Sequence, residues 1–378
     1  MFTHNYNQLD GEIRGIINKI KVPSIQEVKD ILEKSKTDRI SLNEIARLLE
    51  VEEQEQRDLI RNFVLSEFRK EKNISRHIAP IYLSSYCLDL CKYCNFSFKN
   101  MDIERTRLEL SDLEEEINEV LSAGNRVIEF TLATDIGMPP KELSKYISKT
   151  KELLNNEEGS GVLLCSTYFS EEEYLLLKNS GLWGMVQWDE TLDRKIYDKW
   201  HGNSPKKSKF EKRIDNHDRA IQTGLEVATG CLFGLGDYRY DVLMQIAKAR
   251  YLEQEYGTLP FVFGTARLKI IGGRKLYLEN EVNDEQYELS LMVYKIAEPK
   301  IARWLQTREK PELNMRNIVN DDIYTFQCGD VKPGGYKINR RRIDSCSGGQ
   351  FMVNEMTKEE FEQELKKINF NVDYSWIE

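Results

Sequence analysis

Through the first 75 residues, apolar positions recur three and four apart between charged ones, as in "SIQEVKDILEKSK" and "SLNEIARLLEVEEQEQRDLIRNFVLSEFRKEKN". That spacing predicts amphipathic helices, with Ser24 and Ser41 as N-caps, and no convincing strand. From residue 77 the texture changes. Short apolar runs follow one another: "IAPIYLS" (78–84), "VIEFTLA" (127–133), "GVLLCST" (161–167), "GMVQW" (184–188), "EVATGCLFG" (226–234), "FVFGTARL" (261–268), "ARWLQT" (302–307) and "IVNDDIYTF" (318–326). Between them lie strongly helical segments such as "LSDLEEEINEVLSAG", "YDVLMQIAKARYLEQEYG" and "DEQYELSLMVYKIAEP". Strand then helix, eight times, predicts an α/β fold of the (β/α)8 barrel type. The expected organisation is a helical N-terminal extension (1–76), a barrel (77–327) and a C-terminal cap or lid (328–378) that ends in the helix "TKEEFEQELKKI".

Composition narrows the function. A chain of 378 residues, 40% hydrophobic and 31% charged, can bury a full core, and a net charge of -9 offers no basic field to a phosphate backbone. Nucleic acid is therefore not an expected partner. No run of 18 apolar residues occurs, so no membrane partner is expected either, and the absence of a basic, then apolar, leader predicts a cytoplasmic protein. Seven cysteines, three of them clustered, suit thiolate chemistry in a reducing compartment better than a disulfide framework.

The cluster is "YCLDLCKYCNF", with Cys87, Cys91 and Cys94 just beyond the first barrel strand, on the face where barrel enzymes keep their chemistry. Three readings compete. Unliganded thiols would be an oxidation hazard in one loop. A structural zinc needs a fourth ligand, and His77 lies at the far end of the preceding strand. A [4Fe–4S] cluster on three thiolates leaves one iron open for an exogenous ligand. Cys165 and Cys231, in apolar runs, read as core thiols, and Cys328 and Cys346 form no second cluster motif.

The C-x3-C-x2-C spacing with Tyr93 before the last cysteine resembles the radical S-adenosylmethionine superfamily. Several stretches in order resemble its aromatic amino acid lyase branch: "VQWDETLDRKIYDKWHG", "GCLFGLGDYRYD", "ARLK", "LQTRE", and "KPGGY" followed by "QFMV". That resemblance implies a TIM-type barrel, a [4Fe–4S] cluster held by Cys87, Cys91 and Cys94, and S-adenosylmethionine on the open iron. It implies that Glu190 and Arg213 grip the methionine end of that cofactor, with Asp135 and Tyr93 beside it. Asp135 departs from the branch pattern, because "LATD" replaces a Gly-Gly-Glu-like turn. Arg308 is implied as the clamp on the substrate carboxylate. Arg267 is expected to point into the barrel mouth, and Tyr82 and Ser84 are candidate pocket residues.

The resemblance further implies an aromatic amino acid substrate. Cleavage of the Cα–Cβ bond of L-tyrosine to 2-iminoacetate and p-cresol is the leading reading, as in thiamine thiazole biosynthesis, and a tryptophan lyase-type reaction is the alternative. An iron–sulfur scaffold is the remote one. A reductant such as flavodoxin or ferredoxin, and a thiazole synthase, are the implied partners.

Overall fold

The computed structural model describes residues 1–269, 279–325, 330–339, 349–351 and 356–377. Cys328 and Cys346 lie outside the described residues. Ten strands form one sheet: β1 (Asn73–Arg76), β2 (Ala79–Ser84), β3 (Val127–Leu132), β4 (Gly161–Cys165), β5 (Leu182–Glu190), β6 (Glu226–Phe233), β7 (Val262–Arg267), β8 (Ala302–Leu305), β9 (Ile323–Tyr324) and β10 (Phe370–Asp373). Their spatial order is β10-β1-β9-β8-β7-β6-β5-β4-β3-β2, and every neighbouring pair is parallel. All eight expected strands are present as β2 to β9, side by side in chain order. A parallel bridge from Tyr82 to Pro333 links β2 to the segment beyond β9.

Two strands were not foreseen. β1 sits in the stretch expected to be helical throughout, and β10 follows the last helix. Each is four residues long, and they pair with one another across the sequence, Asn73 with Phe370 through Arg76 with Asp373. Segments this short carry too little alternation to register as strands by themselves.

The helical layer forms as its pattern dictates. Ser24 accepts from the Glu27 amide at 3.2 Å while the Glu27 carboxylate accepts from the Ser24 amide at 2.8 Å, and Ser41 and Glu44 repeat the arrangement. Helices Thr3–Ile17, Leu42–Leu49 and Gln54–Phe68 pack over helices Tyr238–Tyr256 and Asp284–Ala297. Those two are consequently buried around most of their circumference, which is why their sequences are apolar beyond a single stripe.

Alternation along the strands separates two cores. Outward residues such as Ile81, Phe130, Leu164 and Phe263 pack under the helices. Inward residues Ile78, Val127, Leu163, Val186, Val262 and Ile323 fill the lower barrel together with Trp376 and Ile377. The chain thus plugs its own barrel floor: the Trp376 indole N–H donates to the His77 carbonyl at 2.8 Å, and Ile377 bridges to Gly159. Above this plug the interior opens.

Candidate active site

The open end is a cavity of about 170 Å³ bounded by the C-terminal ends of the strands, where Cys87, Cys91 and Cys94 stand with Tyr82, Tyr93, Glu190, Arg213 and Arg308. Its wall across β5 to β8 is aromatic. Trp188 lies flat over Gly230 and Gly264, where an added Cβ would come within 2.7 and 2.8 Å of the indole, and Trp304 stands 6.4 Å from it. The glycines make room for a ring that any larger residue would displace.

The cysteine loop is tied down by its own polar residues. Asp89 accepts from the Thr134 hydroxyl at 2.5 Å and from the backbone amides of Lys206 and Lys207 at 3.0 Å each. The Leu90 amide donates to Ser204 at 2.9 Å, and the Tyr93 hydroxyl meets His201 at 2.8 Å. On the opposite side Asn95 donates to the Gly349 carbonyl at 2.6 Å, Tyr82 donates to Gln350 at 2.9 Å, and Gln350 reaches Cys94 Sγ at 3.9 Å. Gln350 and Phe351, from the segment after the barrel, therefore border the same cavity. Burial pushes the Cys87 thiol up to about 11, and chiefly burial raises Cys91 and Cys94 as well. Such thiols stay protonated until a cation ionises them, as a coordinated metal does.

Glu190 reaches inward from a break in the strand. The pairing of β5 with β6 slips between Trp188 and Glu190, and Glu190 adopts φ 69°, a left-handed conformation that costs a non-glycine residue on the order of 1–3 kcal/mol. Its carboxylate pairs with Lys207, a cation that sequence reasoning missed. Burial works against the Lys207 ammonium, but Glu190 and Cys91 outweigh it and hold its pKa above the ordinary lysine value. Arg213, on the short helix Phe210–Ile214, donates from Nη2 to the Trp188 carbonyl at 2.5 Å, while its Nε and Nη1 have no hydrogen-bond partner among the described residues. Arg308 stacks over the Phe351 ring at 3.9 Å, burial lowers its pKa, and its Nε has no partner among the described residues.

Three expected site residues stand elsewhere. Arg267 does not enter the mouth: Ala266 and Leu268 face the cavity, so the strand turns Arg267 outward, where it pairs with Asp284 at 2.8 Å and with Glu309 and lies 4.9 Å from the Tyr287 ring. The Asp135 carboxylate is already engaged, by Arg107 at 2.8 and 2.9 Å, by the Ser84 hydroxyl at 2.5 Å and by the Gly137 amide at 2.8 Å. Ser84 is spent on Asp135 and borders no part of the cavity. Cys231 is a core thiol as expected, but Cys165 lines the cavity.

No protein-family model matches this chain. It is 27% identical to 2-iminoacetate synthase of Escherichia coli (strain K12) over 272 residues, 71% of this chain and 70% of that protein. Its fold matches the crystal structure of HydG, a maturase of the [FeFe]-hydrogenase, with TM-score 0.86 at 24% identity over 97% of this chain and 80% of that one. Methylornithine synthase (PylB) shares the fold at TM-score 0.71 and 16% identity, covering 91% and 97% of the two chains. The chain is thus similar in sequence to 2-iminoacetate synthase and in fold to HydG and methylornithine synthase.

The site's own chemistry fits the [4Fe–4S] cluster and S-adenosylmethionine that the sequence resemblance implies. Among the described residues no three His, Cys, Asp or Glu side chains converge on one ion. A four-iron cluster asks something different, one thiolate on each of three irons, and the three cysteines share one cavity. The unpartnered guanidinium donors of Arg213, beside a carboxylate, suit a zwitterionic amino acid group.

Proposed function

We propose that the chain is a radical S-adenosylmethionine lyase that cleaves the Cα–Cβ bond of L-tyrosine, giving 2-iminoacetate and p-cresol. The observation that carries this reading is Arg308: a half-buried guanidinium whose Nε has no partner among the described residues, in a cavity also lined by Trp188 and Trp304. A guanidinium donor left unmatched in a cavity wall suits an anion, and the carboxylate of an aromatic amino acid would satisfy it while the ring lies against Trp188 and Trp304. The similarity to 2-iminoacetate synthase of Escherichia coli supports the same chemistry.

In this reading Cys87, Cys91 and Cys94 hold the cluster. When bound, the cluster and S-adenosylmethionine supply a 5′-deoxyadenosyl radical. Glu190 receives the methionine ammonium, and Arg213 and Lys207 lie where its carboxylate needs cations. Arg308 fixes the substrate carboxylate and so the position of its amino group. Tyr82, Gln350 and Phe351 close one side of the cavity, making the segment beyond the barrel a water-excluding cover. Asp135 acts one step removed, bracing the cysteine loop's neighbours through Arg107 and Ser84. A flavodoxin or ferredoxin is the proposed reductant, and a thiazole synthase the proposed recipient of the product. Anaerobic incubation of reconstituted protein with S-adenosylmethionine, dithionite and each aromatic amino acid tests the reading. The expected result is tyrosine-stimulated 5′-deoxyadenosine together with p-cresol; an indole product from tryptophan instead would reassign the substrate.

A further inference from the structure

Glu129, on β3, is a carboxyl group in the cavity wall for which the foregoing roles have no use. The strand register places it one inward layer below the cavity's other polar residues. Glu129 is opposite Pro80 and Leu163, whereas Thr131, next inward on the same strand, is opposite Tyr82 and Cys165. The side chain is 4% exposed, the Cys165 thiol is its hydrogen-bond partner, and its Oε1 has none among the described residues. Burial pushes the carboxyl up to about 8, so at neutral pH it is mostly the uncharged acid. A neutral carboxyl offers one acceptor and one O–H, and an oxygen of it left unpaired at this depth destabilises the protein until a group that can hydrogen-bond, such as a hydroxyl or an N–H, meets it.

The aromatic wall says what carries that group. Trp188 and Trp304, on β5 and β8, line the cavity with Glu129, their rings 6.4 Å apart and tilted by 42°, an aromatic surface that suits a planar ring. A ring lying there shares the cavity with Glu129. We propose that Glu129 reads a hydrogen-bond donor on the substrate ring, a phenol O–H or an indole N–H, and so separates tyrosine and tryptophan from phenylalanine. This inference rests on the reading of the cavity as an aromatic amino acid site. Discrimination of this sort is steep, because a ring without the donor leaves the buried oxygen unpaired while filling the space that water would need.

The test is a binding titration of the reconstituted holoprotein with S-adenosylmethionine and no reductant, by calorimetry, using L-tyrosine, L-tryptophan, L-phenylalanine and O-methyl-L-tyrosine. At least one donor-bearing amino acid is expected to bind on the order of 100-fold tighter than phenylalanine. O-methyl-L-tyrosine, which has lost the donor, is expected to fall with phenylalanine. Glu129→Gln keeps a neutral acceptor and should keep the preference, whereas Glu129→Leu should bring the ratio close to one by weakening the donor-bearing ligand and strengthening phenylalanine. Equal binding of all four ligands by the wild type overturns the inference without any variant, and so does a folded Glu129→Leu protein that retains the wild-type ratio. Adding dithionite to the same samples separates the two readings. Nucleoside formed with no preference among rings sinks the role of Glu129 alone; no 5′-deoxyadenosine under any condition sinks the lyase reading itself.

Discussion

At the barrel floor the Trp376 indole N–H is donated to the His77 carbonyl and the ring packs 6.1 Å from both Trp183 and Phe261, while at the mouth Arg213 and Arg308 keep donors with no partner among the described residues. The contrast repeats within a few residues of chain. Arg303, on β8 and fully buried, faces outward and spends its guanidinium on Asp322 at 2.5 and 3.1 Å and on the carbonyls of Leu291 and Asn317 at 2.9 and 2.8 Å. Arg308, just past the same strand, stacks on the Phe351 ring and leaves its Nε without a partner among the described residues. A buried cation whose every donor is matched by protein serves the fold. One whose donors are left unspent is held ready for something the protein does not itself contain. Arg267 belongs to the first kind, which is why it drops out of the substrate site.

Five substitutions can break or sharpen that division. The largest effect belongs to Cys91→Ala, which should abolish iron binding and 5′-deoxyadenosine formation while circular dichroism still shows a folded barrel, since the ligand lies on a loop. A variant that retains the cluster would remove the thiolate role of the motif. Next, Trp376→Ala at the floor should lower unfolding free energy by about 3–5 kcal/mol and leave iron content untouched. Loss of the cluster at unchanged stability would show that the two ends are not separable in the way drawn here.

At the mouth, Arg308→Lys keeps the charge but replaces a planar fork by a point charge, and misplacement of the substrate should cost about 100-fold in turnover. Cofactor cleavage should persist at its background rate, unstimulated by amino acid; lost S-adenosylmethionine binding would instead move Arg308 to the cofactor. Arg213→Ala should weaken S-adenosylmethionine binding by about 1.5–3 kcal/mol, read by equilibrium titration. Asp135→Asn is expected to cost less in the same titration, because its carboxylate is held by Arg107 and Ser84 rather than presented to the cavity. Equal losses at Arg213 and Asp135 would place both on the cofactor.

What the sequence determined by itself is whatever depends on near neighbours in the chain. The eight barrel strands and the capping boxes at Ser24 and Ser41 follow from local periodicity and local hydrogen bonding, and the cysteine spacing marks its loop without help from the rest of the fold. Tertiary structure decided everything that depends on which way a side chain turns and what meets it there. A strand reverses its facing at every residue, so Arg267 and Ala266, adjacent in sequence, end on opposite sides of the wall. β1 and β10 form by pairing with one another across nearly the whole chain, with β1 also set against β9. Lys207 and Glu129 carry no signature in their own segments. Their meaning comes from Glu190 and Cys165, partners that only the curled sheet brings within reach, and a charge or an unpaired oxygen becomes informative only once its burial is known.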